Sequence, residues 1–206
     1  MRLLSISYRD FNYHFKKNSG YYYCFLFALV VSLTISIIIV LTSDNYLNLL
    51  VSKNKNLYSY INGTVSYTEM FFNNFLKFSL PLVIIFVLGL NYYSSLISYI
   101  FVGYQFSIFI MTIVAIINVY LFSGVLTCIF FIIPINILYF VCLVFMSVVC
   151  IERSSYANRT KYFKEAMNSF FFSKIFICFL FVLLISILIS FVFPLILKSA
   201  IFFIYW

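Results

Sequence analysis

From Phe78 to Cys150 the chain carries no Asp, Glu, Lys or Arg, and this uncharged run constrains the fold more than any other feature. As straight helix its roughly 70 residues would extend about 110 Å, against a hydrocarbon core about 30 Å thick. The run is too long for one membrane crossing and suits about three, joined by tight turns. The remaining composition offers no aqueous alternative. The 206 residues include 13 Lys or Arg and 5 Asp or Glu, 65% are hydrophobic, and the mean hydropathy is +1.11. A soluble domain has roughly a quarter of its residues charged. The chain therefore reads as an all-α, polytopic integral membrane protein, which excludes soluble enzyme folds.

Breaks inside the uncharged run are expected at Gly103, Tyr104 and Gln105, and again between Asn118 and Gly124. Five spans follow: 21–41, 79–102, 106–121, 125–150 and 175–197, within a single membrane domain covering 1–206. Two polar segments separate them. The first, 42–77, carries Asp44, Lys53, Lys55, Glu69 and Lys77 and is net +1. Its apolar clusters at Tyr46, Leu47, Leu49 and Leu50 and at Phe71, Phe72 and Phe75 suggest short helices lying at the interface. The second segment, 151–174, is net +3, as are the first 20 residues with Arg2, Arg9, Lys16 and Lys17 against Asp10.

Basic residues collect on the cytoplasmic side, so the N-terminus and 151–174 are expected inside. Both can lie inside only if an odd number of spans separates the two polar segments. The consistent arrangement is five transmembrane helices with the N-terminus cytoplasmic and the C-terminus outside. The first apolar run lacks a small-residue cleavage site and is expected to remain as an anchor. The net charge of +8 then serves topology and contact with membrane lipids. A nucleic-acid partner is not expected, because a basic stripe for that purpose must sit on a water-exposed face.

Little in the chain suggests chemistry. Transporters and pumps keep ionisable residues inside their spans, and the uncharged run has none. The only histidine, His14, stands beside Lys16 and Lys17 in a solvated or headgroup-facing position. Cys24, Cys128, Cys142, Cys150 and Cys178 all fall in apolar runs and read as small core residues rather than disulfides or metal ligands. No enzyme activity, cofactor or metal is expected.

Pro134 removes a backbone donor and should kink the fourth span, with Asn136 placed to cap a freed carbonyl or to bond a neighbouring helix. Asn91, Gln105 and Asn118 read as interhelical hydrogen-bonding residues. The segment 157–174 has an apolar stripe of Tyr162, Phe163, Met167, Phe170 and Phe171, with Arg159, Lys161 and Lys164 available to anionic headgroups. Glycosylation patterns occur at Asn62 to Thr64 and at Asn158 to Thr160.

Several stretches taken together resemble a known family. Tyr8, Arg9 and Asp10, then His14, Phe15, Lys16, Lys17, Asn18 and Ser19, precede the first span. An Asn- and Phe-rich entry from Phe72 to Phe78 leads to Gly89. Gly124 is followed ten residues on by Pro134, and two further by Asn136. This order and spacing resemble the stage II sporulation protein M family of endospore-forming bacteria, over nearly the whole chain. Ile135 stands where that family often has a polar residue, and several of its helix glycines are here Tyr, Ser, Ile or Phe. The resemblance implies a non-enzymatic membrane scaffold of engulfment. Such a scaffold associates with two cell-wall hydrolases, stage II sporulation proteins D and P, and helps place them at the septum in the mother-cell membrane. His14, Lys16, Asn18, Gly89, Gly124, Pro134 and Asn136 become the candidate structural or partner-contact residues, and 42–77 the expected hydrolase contact. Two other readings compete. A small permease or transporter subunit would have its ligand point at Pro134 to Asn136, and a general membrane-remodelling protein would serve a non-sporulating organism.

Overall fold

The computed structural model describes residue 13 and residues 15–42, 66–160 and 169–192. These residues form five helices: α1 (Ser19–Thr42), α2 (Tyr67–Leu88), α3 (Tyr92–Thr127), α4 (Ile133–Thr160) and α5 (Ser169–Ile187). π-helical turns follow α3 at Cys128–Ile132 and α5 at Leu188–Val192. No strand occurs among the described residues. Each of the five helices contains a segment long and apolar enough to cross a membrane, the longest 26 and the shortest 20 residues. The protein is thus an all-α, five-span membrane bundle.

The span boundaries differ from the sequence reading at four places. The second span starts at Tyr67 rather than at Ser79, so Phe71, Phe72, Phe75 and Lys77 belong to α2 and not to a loop or an interfacial helix. Ser66 explains the early start. Its extended backbone (φ −70°, ψ 145°) and its hydroxyl, which accepts from the Glu69 N–H at 3.3 Å, form an N-cap three residues before an acidic first-turn residue.

The first break in the uncharged run falls at Gly89, Leu90 and Asn91, not at Gly103 to Gln105. The Gly89 N–H still donates to Ile85 O at 2.9 Å, closing α2. Asn91 then turns to extended backbone (φ −122°, ψ 144°) and accepts from the Tyr93 N–H, capping α3. Ser94 bridges the turn by donating to Leu88 O at 2.6 Å. Every backbone group in so tight a turn needs a partner within lipid, and polar residues adjacent to it supply several.

The second expected break holds, at Leu121, whose φ of 50° and ψ of −124° interrupt the helix. Positive φ is costly for a side chain branched beyond Cβ, so the strain is confined to one turn residue. From Phe122 the chain is helical again and enters α4 through the π-turn, which moves the start of the fourth membrane segment to Ile133. At the other end of that segment α4 continues through Glu152 and Arg153 to Thr160, helix where a basic loop from 151 was expected.

α4 is the centre of the bundle and packs against all four other helices. Its Leu143, Val148 and Ile151 are fully buried, as are Leu82 and Ile85 of α2 and Val102 of α3. α1 lies at the periphery and leans mainly on α3. The seam between them is built from small residues at four-residue spacing. Ala28, Ser32 and Ser36 of α1 face Gly103 and Ser107 of α3, and Ser107 donates to Ser32 O at 3.2 Å. Close backbone approach through small residues is how membrane helices associate when lipid removes the hydrophobic driving force. The hydroxyls cost little there, because Ser32 donates to Leu29 O and Ser36 to Ser32 O within their own helix.

Lateral contacts fix which helix ends meet. Lys17, just before α1, pairs with Glu152 near the end of the fourth segment, Gly89 at the end of α2 packs on Cys150, and Ser154 donates to Ser95 near the start of α3. At the opposite end Asn74 of α2 donates to Ser190 beyond α5 at 3.1 Å, and Phe71 and Tyr67 lie against Phe191. Lys16 and Lys17 therefore share one end with Glu152, Arg153 and Lys174, as the four spans between the N-terminal segment and the end of α4 require.

Candidate functional site

The sequence-derived candidates divide between the two ends of the bundle. Near the Glu152 end are Lys16, Asn18 and Gly89; toward the other are Gly124, Pro134 and Asn136. His14 lies outside the described residues, as do 43–65 with Asn62 to Thr64, the 161–168 part of the basic segment, and the residues beyond 192. The two groups do not form one site.

At the break before the fourth span, Pro134 is the second residue of α4, immediately after the π-turn, and not mid-span as expected. A π-turn shifts the hydrogen-bond ladder by one residue, which accommodates the missing proline donor. Pro134 is exposed on the bundle. Asn136 Nδ2 donates to Ile132 O at 2.8 Å, back to the π-turn, and among the described residues its amide makes no bond to another helix. Buried Gly124 accepts through its carbonyl from the Cys128 N–H at the entry to the π-turn. Together these residues manage backbone polarity around a proline. Asn136→Ala is accordingly expected to lower bundle stability by only about 0.6 kcal/mol, the average for polar contacts in membrane bundles. Reversible unfolding in mixed micelles would check this, and a loss several times larger would show that Asn136 holds more than Ile132 O.

Interhelical hydrogen bonds come from other residues. Asn91 caps α3 and Asn118 is exposed. Side chains that cross between helices include Ser154 to Ser95, Ser107 to Ser32, Asn74 to Ser190 and, as a long thiol contact of 3.8 Å, Cys142 to Cys178 O. Serine frequency at helical spacing was the available signal, obscured by the more conspicuous asparagines.

The charged end is more organised than its sequence suggested. The Lys17 ammonium lies 2.8 Å from a Glu152 carboxylate oxygen. That hydrogen bond, followed by the carboxylate charge, pushes the Lys17 pKa up. Lys174 of α5 lies within electrostatic range of both groups, and Arg153, next to Glu152, is 7% exposed. Asn18 is also buried, and its carbonyl accepts from the Tyr21 and Tyr22 N–H groups to start α1. Lys16 remains exposed. Glu152 is legible as the first charge after the uncharged run, but its partner 135 residues earlier is set only by folding.

Lys77 departs from the usual pattern. It sits in the interior of α2, facing outward, with its ammonium 6.0 Å from the Phe78 ring centroid. Asn73 and Glu69 on the same helical face are also exposed, and long basic side chains on such a face can carry their charge to the interface. Phe78 in turn packs edge-on against Tyr139 of α4 at 4.8 Å, so this part of α2 is held firmly against the central helix.

All five cysteines are free thiols; Cys24 is exposed and the other four are buried. Among the described residues no group of His, Cys, Asp and Glu has the arrangement of a metal site. In comparisons with known proteins, the chain matches no family model, no curated protein and no solved structure.

Proposed function

We propose that this chain is a non-enzymatic membrane scaffold of engulfment during endospore formation, which recruits and positions cell-wall hydrolases of the stage II sporulation protein D and P type at the septal membrane. Its place is the engulfing membrane of the mother cell, with the basic end cytoplasmic and 43–65 on the wall-facing side.

The observation that carries this reading over a permease is the state of the Pro134 to Asn136 break. A broken helix that binds a ligand turns its freed backbone and polar side chains into a cavity between helices. Here the proline faces outward and the Asn136 amide is bonded to Ile132 O. The centre of the bundle is filled by Leu82, Ile85, Leu143 and Met146, a packing suited to holding helix ends at fixed positions. The shared end of Lys16 and Lys17 with Arg153 and Lys174, which the positive-inside tendency would place in the cytoplasm, agrees with the proposed orientation.

α1 ends at Thr42 and α2 begins at Tyr67, and we take the residues between them as the part of 42–77 to test for partner contact. Replacing 43–65 by a neutral linker of equal length, with insertion verified by protease protection, is expected to abolish hydrolase localisation at the septum. Fluorescence microscopy of tagged hydrolases in sporulating cells reads the result. Unchanged localisation would refute the scaffold assignment, and loss of solute uptake in its place would favour the permease.

A further inference from the structure

Among the described residues, basic side chains collect at one end of the bundle. Lys16 and Lys17 stand there before α1, Glu152 and Arg153 on α4, and Lys174 on α5. Among these described side chains Glu152 is the single carboxylate, beside four basic residues in the sequence and fold of this end. Lys17 engages it at 2.8 Å, and Lys174 lies within electrostatic range of both. An ammonium has three donors, so the pairing with Glu152 leaves Lys17 able to contact a further acceptor.

The backbone adds little to this. α1, α3 and α5 begin at this end while α2 and α4 finish there, so the helix termini together contribute only about half a net positive charge. Beside Lys17, Asn18 is only 5% exposed and its Nδ2 has no hydrogen-bond partner among the described residues. A buried amide donor without an acceptor is costly, and an anion among these cations would supply one. Leu26 and Phe27 of α1 and Phe176 and Ile177 of α5 lie farther along the same two helices, all exposed. In a bilayer such faces are covered by acyl chains.

We propose that this end seats the phosphodiester of an anionic phospholipid, with Lys17 and Lys174 as its cationic contacts and the Asn18 amide as a donor. The apolar faces that continue from the seat favour a lipid over a free phosphate. The site is independent of the engulfment role and is defined by particular side chains just before α1 and on α5, unlike a general attraction of the 157–174 segment to a charged surface.

Native mass spectrometry of the full chain in detergent tests it, with dioleoylphosphatidylglycerol and dioleoylphosphatidylcholine offered at equal concentration. The wild type is expected to retain the glycerol lipid in preference. Lys17→Gln combined with Lys174→Gln should weaken that retention about thirtyfold, the effect of two interfacial basic residues, without altering phosphatidylcholine binding. Glu152→Gln breaks the same ion pair but keeps both cations, and should bind phosphatidylglycerol at least as well as the wild type. Equal retention of the two lipids, an unchanged double variant, weakened binding in Glu152→Gln, or displacement by inorganic phosphate at the lipid concentration would each overturn the assignment.

Discussion

Gly89→Ala is expected to destabilise the bundle by about 1–3 kcal/mol, the range for forcing extra atoms into a packed interior. A methyl group at this position would lie 2.5 Å from Cys150 Cβ and 2.8 Å from its Sγ. The backbone of Gly89 is ordinary right-handed helix (φ −69°, ψ −8°), so the requirement for glycine is the approach of α4 and not a conformation. Cβ of Cys150 cannot rotate away as the end of a flexible side chain could, and α2 must separate from α4. Cys150→Gly should restore much of the loss in the double variant, although alone it costs about 1 kcal/mol of helix propensity. Gly103→Ala is the control. Its added methyl would meet Ala28 O at 3.5 Å and Ser32 Cβ at 3.7 Å, ordinary contact distances, and the change should be neutral or slightly stabilising. Reversible unfolding of the wild type and the four variants in mixed micelles decides the matter. Equal stability of Gly89→Ala and wild type, or no rescue by Cys150→Gly, would refute the close contact.

Leu143→Ala should be the other large effect, and its size separates packing from hydrophobic transfer. Leu143 is fully buried on α4, the helix that touches every other. In soluble proteins such a truncation costs about 2–5 kcal/mol through transfer and cavity contributions together. A leucine released from this bundle enters lipid tails as apolar as itself, so the transfer part largely vanishes. The lost dispersion contacts remain, and about 1–3 kcal/mol is expected. Leu26→Ala provides the comparison, since Leu26 is 61% exposed on the outer face of α1 and should change stability by less than about 0.5 kcal/mol. The same unfolding measurement applies. A similar loss for the two leucines would mean that α1 is covered by another protein surface or that Leu143 is not central.

The consequences for function run through these contacts. α2 leads directly from 43–65, and its position depends on Gly89 against Cys150 at one end and on Asn74 with Ser190 at the other. A scaffold whose partner segment joins α1 to α2 needs both helix ends held in register. The proposed role is therefore sensitive to packing variants far from the segment itself.

The membrane class and the number of spans were legible in the amino-acid sequence, because transfer of charge into lipid is costly wherever the chain goes and an uncharged run of that length admits few crossings. The pairing of basic segments at one end followed from the same count. Helix boundaries were not legible in the same way. Hydropathy does not distinguish Gly89, which ends a helix, from Gly103, which lies within one, since both are flanked by apolar residues. Only the approach of Cys150 to the first, and of Ala28 and Ser32 to the second, sets them apart. Lys77 was assigned to a loop by its charge, yet the Ser66 cap and the packing of Phe78 on Tyr139 place it in α2. Pro134 and Asn136 were visible as a helix disturbance, but its position at the entry to α4 depended on the π-turn before it. The partnership of Lys17 with Glu152 likewise depended on α1 lying beside α4. Local composition determines whether a segment enters lipid, whereas the contact that stops, caps or pairs it comes from a helix distant in sequence, and only the tertiary structure brings that helix near.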